Sequence, residues 1–442
     1  MTCTLRRLSA FALCLASVHA LAAQSKPAKD AWPHWRGPSH NGVATANVPL
    51  TWSDTQNIKW RIEIPGRGFS TPVVWGDRLF LTTAVPTGKK SSPGVDQGGR
   101  AGGGAGVGEE HRFEVLAVDR ATGKIAWQRT AATVTPHEGY HRLYGSFASN
   151  APATDGRRLY AFFGSRGLFV YDLAGKLLWQ KDLGIKMAMR LAFGEGSGVV
   201  VEDGRVYLQF DHEGEGAIIA LDAADGKELW RAPRADNSSW STPLVIEHNG
   251  TKQLVVTADT KVKAYDLTTG KIMWEVAGLG TNPIPQPVQF GDKVLVMSGY
   301  RSPKLMAVKL GRTGDLTGTD AVVWQSVRGT SYTGSPALLD GRLHVWSDNG
   351  LLSAFNATTG EPHYVQARLP KPYTVKASPL AVGDRVYLAT EEGDVVVVKA
   401  GNQLEVLATN TLMEHSFIAS PIAVGNDLYL RSRTHLFRIS EK

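Results

Sequence analysis

One phrase recurs along the chain. In its clearest copy Ser241-Thr242-Pro243 opens a strand, Ala264-Tyr265-Asp266-Leu267-Thr268-Thr269-Gly270 ends a later one, and Trp274 follows. The residue that opens each copy serves as a ruler. Pro72, Pro152, Gly198 (where the others have proline), Pro243, Pro287, Pro336, Pro379 and Pro421 lie 80, 46, 45, 44, 49, 43 and 42 residues apart. A period of roughly 40–45 residues is that of a four-stranded blade repeated around an axis. The first interval holds one blade plus a long extra loop. Trp127, Trp179, Trp230, Trp274 and Trp324 keep the same step until Tyr364 and Val406 take their place. Length alone would suggest two or three domains, whereas a ring of blades uses the whole chain as one.

The eighth copy is short. It runs Ala419-Ser420-Pro421, Leu428-Tyr429-Leu430 and Leu436-Phe437-Arg438-Ile439, and then lacks its tryptophan strand. A matching strand stands at the other end, Ile58-Lys59-Trp60-Arg61-Ile62-Glu63-Ile64. An open ring would expose two bare strand edges, and pairing these pieces removes both. The expected fold is therefore all-β: an eight-bladed β-propeller of four-stranded antiparallel blades, closed by the N-terminal strand. It occupies residues 50–442, behind a lead-in at 23–49. Short strands such as Arg78-Leu79-Phe80-Leu81, with 47 glycines and no helical periodicity, agree with this. In such a ring the connections between blades and the middle loops of each blade open on one face. Tight turns such as Asp155-Gly156, Asp203-Gly204 and Asp340-Gly341 make the other. All the length variation falls on the first face, where function is expected.

Residues 1–22 read as a secretory leader: Arg6-Arg7, an apolar stretch at 8–18, and Ala20-Leu21-Ala22 as cleavage site. The apolar run is too short to span a bilayer. Both cysteines, Cys3 and Cys14, lie inside it, so a mature chain has no disulfide and no thiolate metal site. Leu13 does not suit Cys14 as a lipid-attachment cysteine. The expectation is a periplasmic or secreted monomer. Loss of Arg6 and Arg7 lowers the formal charge from +7 to +5, and no run of Lys and Arg marks a nucleic-acid surface.

The segments Ala117-Val118-Asp119-Arg120-Ala121-Thr122-Gly123-Lys124 to Trp127, Ala220-Leu221-Asp222 to Trp230, and Ala264 to Trp274 resemble the pyrroloquinoline-quinone-like repeat family, over roughly residues 50–440. The opening Trp32-Pro33-His34-Trp35-Arg36-Gly37-Pro38 is similar to the lead-in of secreted bacterial members. The resemblance implies two functions. Quinoprotein alcohol dehydrogenases hold the quinone and a calcium ion at the axis; the outer-membrane assembly lipoprotein is a scaffold that binds other proteins. The dehydrogenases lay the quinone against a disulfide of adjacent cysteines, which the mature chain lacks, so pyrroloquinoline quinone is not expected. The scaffold carries a lipidated cysteine, for which this chain shows no counterpart. In this family the tryptophans and Thr-Gly pairs dock blade on blade and are no sign of a cofactor.

Several constellations fall on the long-loop face. His137-Glu138-Gly139-Tyr140-His141 matches the zinc-peptidase pattern, which needs a helix to turn both imidazoles to one metal. Asp211-His212-Glu213 lies on a neighbouring loop. His141, Asp211 and His212 are thus candidate ligands of a divalent metal, with His137, Glu138 and Glu213 nearby. Loops between blades carry Arg190, Glu195, Trp240, Asn282, Tyr332, Lys376 and His415, with Phe69, Tyr144, Phe193 and Phe417, towards an axial funnel, the default ligand site. Residues 86–112 read as a flexible glycine-rich insertion in the first blade. The leading reading is a non-catalytic binding or scaffold module for a protein, peptide or small ligand, with no cofactor. A quinone- or metal-dependent oxidoreductase is second and a metal hydrolase third.

Overall fold

The computed structural model describes residues 30–90 and 103–441. The leader, both cysteines and the centre of the glycine-rich run lie outside these residues. Eight four-stranded antiparallel sheets make an eight-bladed β-propeller. The only helical turns among the described residues are three-residue 3₁₀ pieces at Gly164–Arg166 and Arg190–Ala192. The third blade is typical: Val200–Glu202, Arg205–Phe210, Gly216–Asp222 and Glu228–Arg234 pair in sequence order. Its two middle strands are buried almost throughout, as strands covered on both faces must be. The outer strand alternates between the next blade and solvent.

The repeated phrase has a plain physical cause. Four outer-strand tryptophans lie on a glycine turn of the next blade, and each donates its indole N–H to a carbonyl beside it. Trp127 donates to Leu173, Trp179 to Ala223, Trp230 to Leu267 and Trp324 to Ala357, at 2.9–3.3 Å. A Cβ on Gly175, Gly226, Gly270 or Gly360 would meet those rings at 2.5–2.7 Å. These glycines also have φ between 67° and 87°, so the sequence there is fixed twice over. Trp274 departs from the rule and donates to Gln253 of its own blade. There Gly314–Asp315 adds a fifth, parallel strand.

The ring closes as the sequence reading expects. Ile58–Glu63 pairs antiparallel with His435–Ile439 and completes the eighth blade. Trp60 then repeats the docking rule across the seam, donating to Arg120 (2.9 Å) over Gly123 of the first blade.

The lead-in is part of the ring. Trp32 pairs with Val74 of the first blade, and Pro33 accepts from Thr154 of the second. Asn41 then accepts from Leu338 of the sixth, and Val43–Ala44 runs parallel to the inner strand Leu380–Val382 of the seventh. Asn47 reaches Gly425 of the eighth. Because these partners are innermost strands on opposite sides of the axis, residues 33–41 cross the channel. Arg36, only 1% exposed, holds the crossing by donating to Pro336 O (2.8 Å) and Pro379 O (2.9 Å). No carboxylate among the described residues pairs with it, and burial lowers its pKa to about 9.

The insertion at 86–112 is strand at both ends, and residues 91–102 between them, which the flexible-loop reading also covers, lie outside the described residues. Arg78–Lys90 and Glu109–Asp119 extend the hairpin of the first blade, pairing as far as Lys90 with Glu109. Residues 103–108 return to the long-loop face, where Ala105 pairs with Tyr140.

Candidate functional site

A cavity of about 510 Å³ opens at the axis. Each of the eight connections that lead into a blade gives it a wall residue: Phe69, Tyr144, Arg190, Trp240, Asn282, Tyr332, Lys376 and Ile418. Trp35, from the segment that crosses the channel, closes it below. Middle loops add Tyr300 and Asp348, so both loop classes share this face. Tyr300 stacks on Tyr332 at 5.1 Å, and Tyr144 stacks on His141 at 4.7 Å.

The charges in the wall are unequal. Lys376 pairs with Asp348 at 2.9 Å and lies over the Tyr144 ring. Glu195 accepts from Arg166 (2.8 Å) and from the Ser165 amide and hydroxyl (2.7 Å each), so it fastens one loop to the next. The Arg190 guanidinium has no hydrogen bond or ion pair with any described residue. Asn282 is buried, and its Oδ1 has no partner. Burial raises the Tyr332 hydroxyl above its ordinary range, against the pull of Asn282 and Arg190. The cavity thus offers aromatic walls, one unsatisfied cation and one unsatisfied carbonyl.

Two expected wall residues lie elsewhere. His415 packs edge-on to Phe437 (4.7 Å) and His435 (5.0 Å) in the eighth blade, and burial lowers its pKa. Phe417 is fully buried, in core shared by the last blades and the first. Ile418, the next residue, takes the wall position.

The proposed metal ligands share a face but not a centre. Asp211 is fully buried in a bidentate pair with Arg234 (2.6 and 2.9 Å), which also binds Asp236, and Gln209 donates to it at 2.6 Å. Three donors and full burial leave this carboxylate turned into the blade and away from any shared centre. His212 Nδ1 accepts from the Ala188 amide (3.3 Å), and its Nε2 lies 3.2 Å from Glu215 O. His141 Nδ1 accepts from Leu143 and Tyr144 amides. Residues 137–141 form no helix. His137 Nε2 lies 2.9 Å from Met187 O, while Glu138 accepts from the Met189 amide (2.9 and 3.1 Å). Among the described residues no group of three or more His, Cys, Asp or Glu has metal-holding geometry. The metal-centre and hydrolase readings are therefore withdrawn: side chains that matched the pattern are used up by backbone. Burial, helped by Glu195, raises Glu138 to about 7.

Sequence reasoning missed Trp35, Tyr300 and Asp348. Trp35 had a signal, a Trp- and Arg-rich stretch outside the repeat. Asp348-Asn349-Gly350 had only the form of a turn.

A family model described as outer membrane protein assembly factor BamB matches residues 43–185, 111–316 and 258–436. The chain belongs to this family. Among curated relatives, a polyvinylalcohol dehydrogenase of a Pseudomonas species is 24% identical, over 65% of this chain and 50% of its own length. BamB of Bordetella pertussis is 23% identical, over 43% of this chain and 45% of its own. The chain thus spans about half the length of the curated relatives it matches. The fold is shared with solved structures: BamB of Moraxella catarrhalis (TM-score 0.58, 14% identity, 87% of this chain and 97% of that one) and a quinohemoprotein alcohol dehydrogenase of Comamonas testosteroni (0.62, 12%, 96% and 82%). The BamB family therefore includes this propeller, with an outer membrane protein assembly factor and dehydrogenases both among its likenesses. No helix among the described residues is long and apolar enough to cross a membrane.

Proposed function

We propose that the protein is an extracytoplasmic, monomeric binding module without a catalytic centre. It takes an organic anion with an apolar or aromatic body into the axial funnel, free or as part of a peptide or protein partner. One observation carries this reading: the Arg190 guanidinium stands without a partner in a cavity walled by aromatic rings. A part-buried, unpaired cation favours a negatively charged partner, and the rings supply contact area around it. The leader-like residues 1–22 support the location.

A quinone-dependent dehydrogenase is the second reading, favoured by the polyvinylalcohol dehydrogenase relative and by the axial position of the cavity. The donor set fits that group poorly. The quinone carries three carboxylates, whereas the wall has one unpaired cation and a lysine already neutralised by Asp348. Among the described residues no acidic cluster stands ready for an accompanying metal.

The first test is the absorption spectrum and metal content of native protein, with binding of the aromatic anion 1-anilinonaphthalene-8-sulfonate. The expected result is no quinone band, and binding that Arg190→Ala weakens by about tenfold or more, the scale of a charge-assisted contact. A quinone band with quinone-dependent dye reduction would establish the second reading. Anion binding unchanged in Arg190→Ala would remove the first.

A further inference from the structure

Apart from Asp211, the residues that the sequence grouped as a metal site converge on one stretch of backbone. Residues 187–193 precede the third blade and carry Arg190. From one side His137 reaches Met187 O, Glu138 takes the Met189 amide, and the His141 amide donates to Phe193 O (3.0 Å). From the other, His212 takes the Ala188 amide and the Glu213 amide donates to Ala188 O (2.9 Å). Ser238 Oγ accepts from the Arg190 amide (2.9 Å) and donates to Glu213 Oε1 (2.8 Å). Gly104 of the first-blade hairpin donates to Ala192 O (3.1 Å).

The stretch is strained as well as gripped. Leu191 and Ala192 are consecutive non-glycine residues with φ of 55° and 52°, and Leu191 is 59% exposed. Left-handed conformations at such residues persist only where the surroundings over-determine them. Burial of the leucine side chain does not do so here. The acceptors on three successive amides do.

We propose that residues 187–193 are a clamped arm that presents the Arg190 guanidinium to the cavity, with Glu138 and Ser238 as positioning residues that make the site selective for anions. The aromatic walls accept charged and neutral aromatics alike. Lys376 is neutralised by Asp348, so discrimination by charge falls to Arg190. Removing an acceptor lets Leu191 and Ala192 relax to negative φ, which turns the Arg190 side chain away from its seat. The aromatic wall stays intact, because Trp240 and Tyr332 stand on other loops.

The inference rests on Arg190 as the anion anchor, and the test separates the two. Affinities of the full chain are compared for 1-anilinonaphthalene-8-sulfonate and for the neutral N-phenyl-1-naphthylamine, with hydrogen exchange at amides 188–190. Glu138→Ala and Ser238→Ala are each expected to weaken the sulfonate by about tenfold and the neutral probe by less than about twofold. Both should lose protection at these amides. Glu138→Gln keeps an acceptor for the Met189 amide and should restore sulfonate binding. Asp340→Asn, in a turn on the opposite face, is the control. If Arg190→Ala weakens the sulfonate while Glu138→Ala and Ser238→Ala bind it as wild type does, the positioning role is refuted and the anchor stands. Equal loss of both probes would also refute it, as a merely structural effect. If Arg190→Ala binds normally, the anchor itself falls. Should Glu138→Ala not fold, Ser238→Ala alone decides.

Discussion

At the scale of single residues, the glycines opposite the tryptophans are the clearest case of sequence set by contact. Gly226 and Gly204 have nearly the same backbone, φ of 74° and 71°, but a Cβ at Gly226 meets the Trp179 ring at 2.7 Å and one at Gly204 meets nothing within 4 Å. Gly204→Ala should cost only the left-handed penalty, about 1 kcal/mol. Gly226→Ala should cost about 3 kcal/mol, since the indole must also shift. Urea unfolding of the pair measures the difference, and equal losses would mean that the docking contact carries no weight. Asp211 shows the opposite lesson. Its neighbours in sequence suggested a ligand, but the guanidinium that claims it comes from Arg234, 23 positions away. No local pattern reveals that partner.

Among the elements, the closing strand was legible because the repeat count left one copy incomplete. Its tryptophan sits where the missing one should be. Trp60 spans the seam, packing near Tyr429 at 6.1 Å and donating to Arg120. Trp60→Ala should therefore lower stability by about 2 kcal/mol, less than for a fully buried tryptophan because the ring is only partly covered. Thermal unfolding checks this, and an unchanged midpoint would show that the seam does not limit stability. The lead-in was not legible in the same way. Its segment lies outside the repeat, and its partners are inner strands of five blades scattered over the chain. Only closure of the ring brings them within reach of one strap.

For the whole molecule, the clamped face makes a prediction about pH. The folded-state pKa of Glu138 is raised to about 7, above the ordinary 4.5, chiefly by burial. Between those values the folded protein holds a proton that the unfolded chain releases. The contribution is fully present below the unfolded pKa and is lost as pH rises through about 7. Glu138→Gln does not ionise, so its stability relative to wild type should increase between pH 5 and pH 8, by about 1 kcal/mol after allowance for partial exposure. A constant difference across that range would contradict it. The sequence alone determined the repeat, the blade number, the closing strand and which loops share a face, because these follow from periodicity and from the cost of bare strand edges. It also placed most of the cavity wall, since each blade offers one connection to the axis. The tertiary structure decided what the polar side chains do there. The imidazoles and carboxylates that spacing suggested for a metal are taken by backbone groups, Ser238 and a distant arginine, whereas the Arg190 guanidinium is unpaired among the described residues. Which polar group finds a partner depends on contacts across blades, and the spacing of residues along the chain does not encode them.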